Sequence, residues 1–96
     1  MSNKRFDCND FCMTDNIRQR FLTDVSFGLF IIEICEKYSQ YNWGDTEKND
    51  ALLNNQAIER EYGDVLAVYN YNTDCKVWIY TTYDHSNTTI LFPDEW

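Results

Sequence analysis

Four cysteines and a single histidine are the side chains of this sequence best suited to hold a metal ion. Cys8 and Cys12 are spaced C-x3-C, and two thiolates in such a pair can serve one zinc ion. Cys35 and Cys75 complete a four-sulfur set, with His85 as the substitute ligand. Cys75 and His85 do not fit one site together. They flank a predicted strand, which places them roughly 20–30 Å apart at about 3.3 Å per residue. The first reading therefore predicts one structural Zn2+ on Cys8, Cys12, Cys35 and Cys75. The competing reading is that free cysteines behave as small hydrophobes and fill the core.

Other groupings carry less chemistry. Asp84, His85 and Ser86 have the residue types of a hydrolytic triad, but they are adjacent, and triads are assembled from opposed elements. They read as a turn. Asp94 and Glu95 resemble a catalytic carboxylate pair without the context that forms a pocket. The three glycines, at 28, 44 and 63, are too scattered for a phosphate-binding loop. These residues do not predict an enzyme.

Carboxylates dominate. Sixteen acids face eight bases, for a net charge of −8. Residues 1–20 carry a net +1, so residues 21–96 carry −9. A nucleic-acid binder needs the opposite sign, so the expected partner is a basic protein surface and not DNA or RNA. Asp45, Glu47, Asp50, Glu59, Glu61 and Asp64 lie on and beside a predicted helix with little apolar surface, and they are the candidate partner-binding residues. Tyr38, Tyr41, Trp43, Tyr62, Tyr69, Tyr71, Trp78, Tyr80 and Tyr83 either fill the core and flank the sheet or anchor a partner, where Tyr and Trp are favoured.

The elements that must position these groups follow from periodicity. Ninety-six residues suit one domain. At that size only roughly 60–65% of the unfolded surface is buried, and 16 aromatic residues compensate for the thin core. Residues 1–13 read as irregular or a short turn, and Thr14 to Gln19 as a possible short helix. A helix runs from about 23 to 38, capped by Thr23 and favoured by Asp24. It is apolar nearly all round, which predicts burial on more than one side. Gly28 in its interior implies a close neighbour. A second helix, capped by Asp45 or Thr46, reaches about Glu61, and Gly63 stops it. Residues 65–71, 76–82 and 88–92 read as strands joined by turns at 72–74 and 84–87. In the middle strand Val77, Ile79 and Thr81 share one face, and the first helix is expected to lie on it. The predicted fold is α+β: two helices followed by a three-stranded antiparallel meander. With neither an apolar span nor a signal-peptide core, the expected location is the cytoplasm, where structural disulfides are not anticipated.

Two motifs carry a resemblance. Trp43-Gly44-Asp45-Thr46 is followed by Asn54, Ala57 and Ile58, and later by Trp78-Ile79-Tyr80-Thr81 and Thr88-Thr89-Ile90-Leu91-Phe92-Pro93-Asp94-Glu95-Trp96. Over residues 14–96 the chain resembles a family of small acidic proteins carried by plasmids, integrated elements and phages of Gram-positive bacteria. It departs from that pattern at His85, where arginine is usual, and at Tyr83, where a small residue is usual. Cys8 and Cys12 fall outside it. In setting, size and acidity the family is similar to small anti-CRISPR proteins, some of which occupy the basic channels of Cas9. The resemblance thus implies a type II anti-CRISPR that binds a Cas9-type effector and blocks DNA engagement. The alternative is a zinc-stabilised accessory protein of plasmid or phage maintenance that binds a partner without inhibiting CRISPR.

Overall fold

In a computed structural model, residues 6–96 are described, and the fold is α+β with three helices and one four-stranded sheet. In chain order these are β1 (Phe11–Met13), α1 (Asp15–Thr23), α2 (Val25–Ser39), α3 (Lys48–Arg60), β2 (Val65–Asn72), β3 (Cys75–Thr81) and β4 (Thr88–Leu91). Single 3-10 turns, Cys8–Asp10 and Pro93–Glu95, flank the set.

The meander β2-β3-β4 is antiparallel as expected, but the sheet is mixed, in the order β1-β4-β3-β2. β1 pairs in parallel with β4, Cys12 standing opposite Thr89. The expectation of an irregular segment or short turn through residue 13 is met by the turn at Cys8–Asp10 and corrected for Phe11–Met13, and residues 1–5 lie outside those described. Three residues are too short a run for alternation to reveal a strand. Thr14 then caps α1 by accepting the Ile17 N–H at 3.3 Å.

The cap of α2 is Asp24, whose carboxylate accepts the Phe27 N–H, while Thr23 turns its hydroxyl back to the Gln19 carbonyl. Gly28 has the close neighbour its position implied: a Cβ there would lie 3.1 Å from the Phe21 carbonyl oxygen. Phe27, Ile31, Ile34 and Tyr38 of α2 meet Val65, Ala67, Val77, Ile79 and Ile90 of the sheet in one core. Each fully buried Val, Ile or Phe side chain among them contributes roughly 1.5–3 kcal/mol. Tyr38 carries a hydroxyl into this core, where Thr81 pairs with it at 2.6 Å and Thr88 pairs with Thr81 at 2.7 Å. The helix thus lies on the Val77, Ile79 and Thr81 face. It also packs against α1 and the N-terminal turn, but one side stays open: Val25, Leu29 and Ile32 form an outward stripe 80%, 63% and 58% exposed.

The second predicted helix begins later than expected. It is α3, preceded by Glu47 with no side-chain cap. At its end Glu61, not Gly63, takes the left-handed conformation, with φ 65°. Gly63 follows at φ 109° and fastens the chain to the far turn: its N–H donates to Tyr83 O at 2.7 Å and its carbonyl meets His85 Nε2 at 2.8 Å.

Candidate functional site

The four cysteines do not converge. Cys12 is exposed on β1, on the outer face of the sheet opposite Thr89. Cys75 opens β3 beside Arg20, whose Nη1 lies 3.7 Å from its sulfur. The same guanidinium sits 4.5 Å from the Phe27 ring and 5.3 Å from the Tyr71 ring. Only Cys8 and Cys35 are neighbours. His85 packs edge-on against Phe6 and is held by Gly63. Among the described residues no group of three or more His, Cys, Asp or Glu is arranged to hold a metal ion, so this structure does not gather the four predicted sulfurs. The reason is topological: β1 turns successive side chains to opposite faces, and Cys75 is committed to the end of the sheet that α1 covers.

The Trp43-Gly44-Asp45-Thr46 motif has a specific structural task. β2 is an edge strand, and its outward N–H and C=O groups would otherwise be open. Val68 is served by Thr46, whose hydroxyl accepts its N–H at 2.8 Å, and by Asp45, whose N–H donates to its carbonyl at 2.8 Å. The Asp45 carboxylate accepts the Asn70 N–H at 2.8 Å. Two residues before Val68, Leu66 is matched by the Asn54 side chain, which donates to its carbonyl at 2.8 Å and accepts its N–H at 3.1 Å. Trp43 is buried against Tyr38 and Tyr41 and donates its indole N–H to Asn55. Asp45, counted among the partner-binding acids, is therefore also part of this edge cap.

The remaining five candidate acids are all exposed, and α3 divides them. Glu47 and Asp50 stand at its start; Glu59, Glu61 and Asp64 stand at its end. The second group meets acids that its sequence neighbourhood does not contain. A cleft of about 510 Å3 gathers Glu61 from the end of α3, Asp84 from the turn before β4, and Asp7 and Asp10 from the N-terminal 3-10 turn. Phe6, Tyr41 and His85 supply ring surface to the same cleft. Beside it the exposed rings of Tyr62 and Tyr83 lie 5.6 Å apart, and Asp64 accepts the Tyr80 hydroxyl at 3.1 Å. The Asp84 carboxyl is held below its ordinary pKa by hydrogen bonds from Ser86 and Thr82. It stays anionic at neutral pH. Asp84, His85 and Ser86 thus form a bonded turn, as read from the sequence.

Sequence reasoning missed Asp7 and Asp10 as members of the acidic face. Only the parallel pairing of β1 with β4 brings the N-terminal turn beside residues 84–88, and no local pattern announces it. It also left the aromatics undivided. Tyr38, Trp43 and Tyr69 are core, whereas Tyr62, Tyr83 and Trp96 are exposed.

Among the described residues, no helix is long and apolar enough to cross a membrane. No family model, curated protein or solved structure matches the chain.

Proposed function

We propose that this protein is a binding module that occupies a basic, nucleic-acid-handling surface of another protein, and that the partner is a Cas9-type effector whose DNA engagement it obstructs. The observation that carries the reading is the cleft of Asp7, Asp10, Glu61 and Asp84, which has no lysine or arginine in its described wall. Carboxylates held there offer a basic channel the charge that phosphates would bring. The exposed Tyr62 and Tyr83 pair beside the cleft offers the apolar contact that fixes a bound partner. The sequence motifs and net charge of −8 support the same class of partner. The alternative, a zinc-stabilised accessory protein, would rest on Cys8, Cys12, Cys35 and Cys75, which this structure does not gather.

The test is DNA cleavage by a Cas9-type effector with and without excess protein. Cleavage should fall in proportion to the protein added. The triple variant Glu59→Lys, Glu61→Lys, Asp64→Lys should lose inhibition by at least about tenfold while its unfolding midpoint barely moves, since exposed charges contribute little to folding. Full inhibition by that variant would overturn the acidic-face mechanism. Unimpeded cleavage with wild-type protein would overturn the choice of effector.

A further inference from the structure

Cys8 sits in the 3-10 turn that precedes β1, half-buried; Cys35 sits on the inner side of α2, 8% exposed. The turn packs against α2, and both cysteines line one groove of about 360 Å3 together with Phe21, Ile31 and Ile90. Cys8 is close enough to Cys35 to help raise the pKa of its thiol. Cys12 and Cys75 lie elsewhere, on the outer face and beside Arg20. We propose that Cys8 and Cys35 form an oxidisable dithiol site, which a hydroperoxide converts into an intramolecular disulfide that ties the N-terminal turn to α2.

The two cysteines have different parts. Burial, then the neighbouring Cys8, pushes the Cys35 thiol up to about 12, so it remains protonated in the reduced protein. Cys8 is the more accessible and reacts first. Its thiolate attacks a peroxide oxygen, the O–O bond breaks, and hydroxide leaves with the thiol proton as water. Cys8 is now a sulfenic acid. The Cys35 sulfur then attacks the Cys8 sulfur. The S–S bond forms, the S–O bond breaks, and the departing hydroxide takes the Cys35 proton. Two thiols have given up two electrons and two protons, and hydrogen peroxide has become two waters. The consequence reaches the acidic cleft, because Asp7 and Asp10, two of its walls, flank Cys8 in the same turn. Oxidation would fix those walls in place, whichever partner the cleft meets.

The experiment is hydrogen peroxide treatment of the full chain, followed by peptide mass mapping without reductant. The expected product is a monomer lacking two hydrogens, with Cys8 and Cys35 in one crosslinked peptide, restored by dithiothreitol. Its melting temperature should rise by roughly 10 °C, since the closed loop restricts the unfolded chain. Cys8→Ser, at a half-exposed position, and Cys35→Ser should each abolish the crosslink; Cys12→Ser and Cys75→Ser should each leave it. Cys8→Ser keeps the test decisive if the buried Cys35→Ser variant fails to fold. Folded wild-type protein that only gains oxygen at Cys8 would overturn the proposal. So would a crosslink that maps to Cys12 or Cys75.

Discussion

Asn54 does with one side-chain amide what a neighbouring strand would do with its backbone. It is 3% exposed and satisfies both polar groups of Leu66 at the sheet edge. Asn54→Leu should therefore cost about 2–3 kcal/mol in urea unfolding, because both groups lose their partner. Asn54→Asp keeps the acceptor and should cost less. Glu95 has a comparable role at the other side. Its carboxylate accepts the Phe92 N–H at 2.7 Å, the Thr14 hydroxyl at 2.9 Å and the Asn16 amide at 2.9 Å. Burial by itself raises its pKa, but these hydrogen bonds more than offset it, and the folded value lies below the ordinary one. The sign follows. A carboxyl with a depressed folded pKa contributes stability above its unfolded pKa, about 4.3, and loses it as pH falls through the lower folded value. The melting temperature of wild-type protein should drop more steeply below about pH 4 than that of Glu95→Gln, and a parallel fall would contradict the assignment.

At the scale of elements, the loop before α3 matters as much as the helix. Gly44 has φ 63°, bridges in parallel to Val68, and faces the Tyr69 ring so closely that no Cβ fits. Gly44→Ala should destabilise by at least about 2 kcal/mol, from left-handed strain together with the clash, as read by chemical denaturation. The Trp43-Gly44-Asp45-Thr46 motif was visible in the sequence, but its task was not. Asp45 and Thr46 read as helix caps because that is what their residue types do locally; here they turn instead to a strand more than twenty residues later. The strands β2 to β4 were legible because alternation is a local signal, and Val77, Ile79 and Thr81 are buried as that pattern requires. β1 was not legible, since its identity depends on Thr88–Ile90 being available beside it. The outward stripe of α2 was not legible for a related reason. Its apolar residues are indistinguishable by type from those that face the sheet. The acidic candidates were half legible: Glu61 was found, but the cleft it shares with Asp7, Asp10 and Asp84 exists only in three dimensions.

At the scale of the molecule, charge governs encounter more than cohesion. Sixteen acids and eight bases leave most carboxylates without an opposing charge, and the two ion pairs among the described residues, Arg20 with Asp24 and Lys37 with Glu33, are local and partly exposed. Association with a basic partner should therefore be fast at low salt. Between about 0.1 M and 1 M salt the Debye length shrinks from about 10 Å to about 3 Å, and the on-rate should fall by at least about tenfold in stopped-flow or surface-binding kinetics. An on-rate indifferent to salt would contradict electrostatic steering. The pairing of β1 with β4 has a further consequence, for the order of synthesis. Residues 11–13 leave the ribosome well before their partners at 88–90 and the Glu95 clasp on Thr14. The nascent chain must carry α1 and α2, with their apolar sides uncovered, until the strands that cover them have emerged. Folding of this unit is thereby postponed until its last strand is made, a period in which exposed apolar surface is open to aggregation and to chaperones.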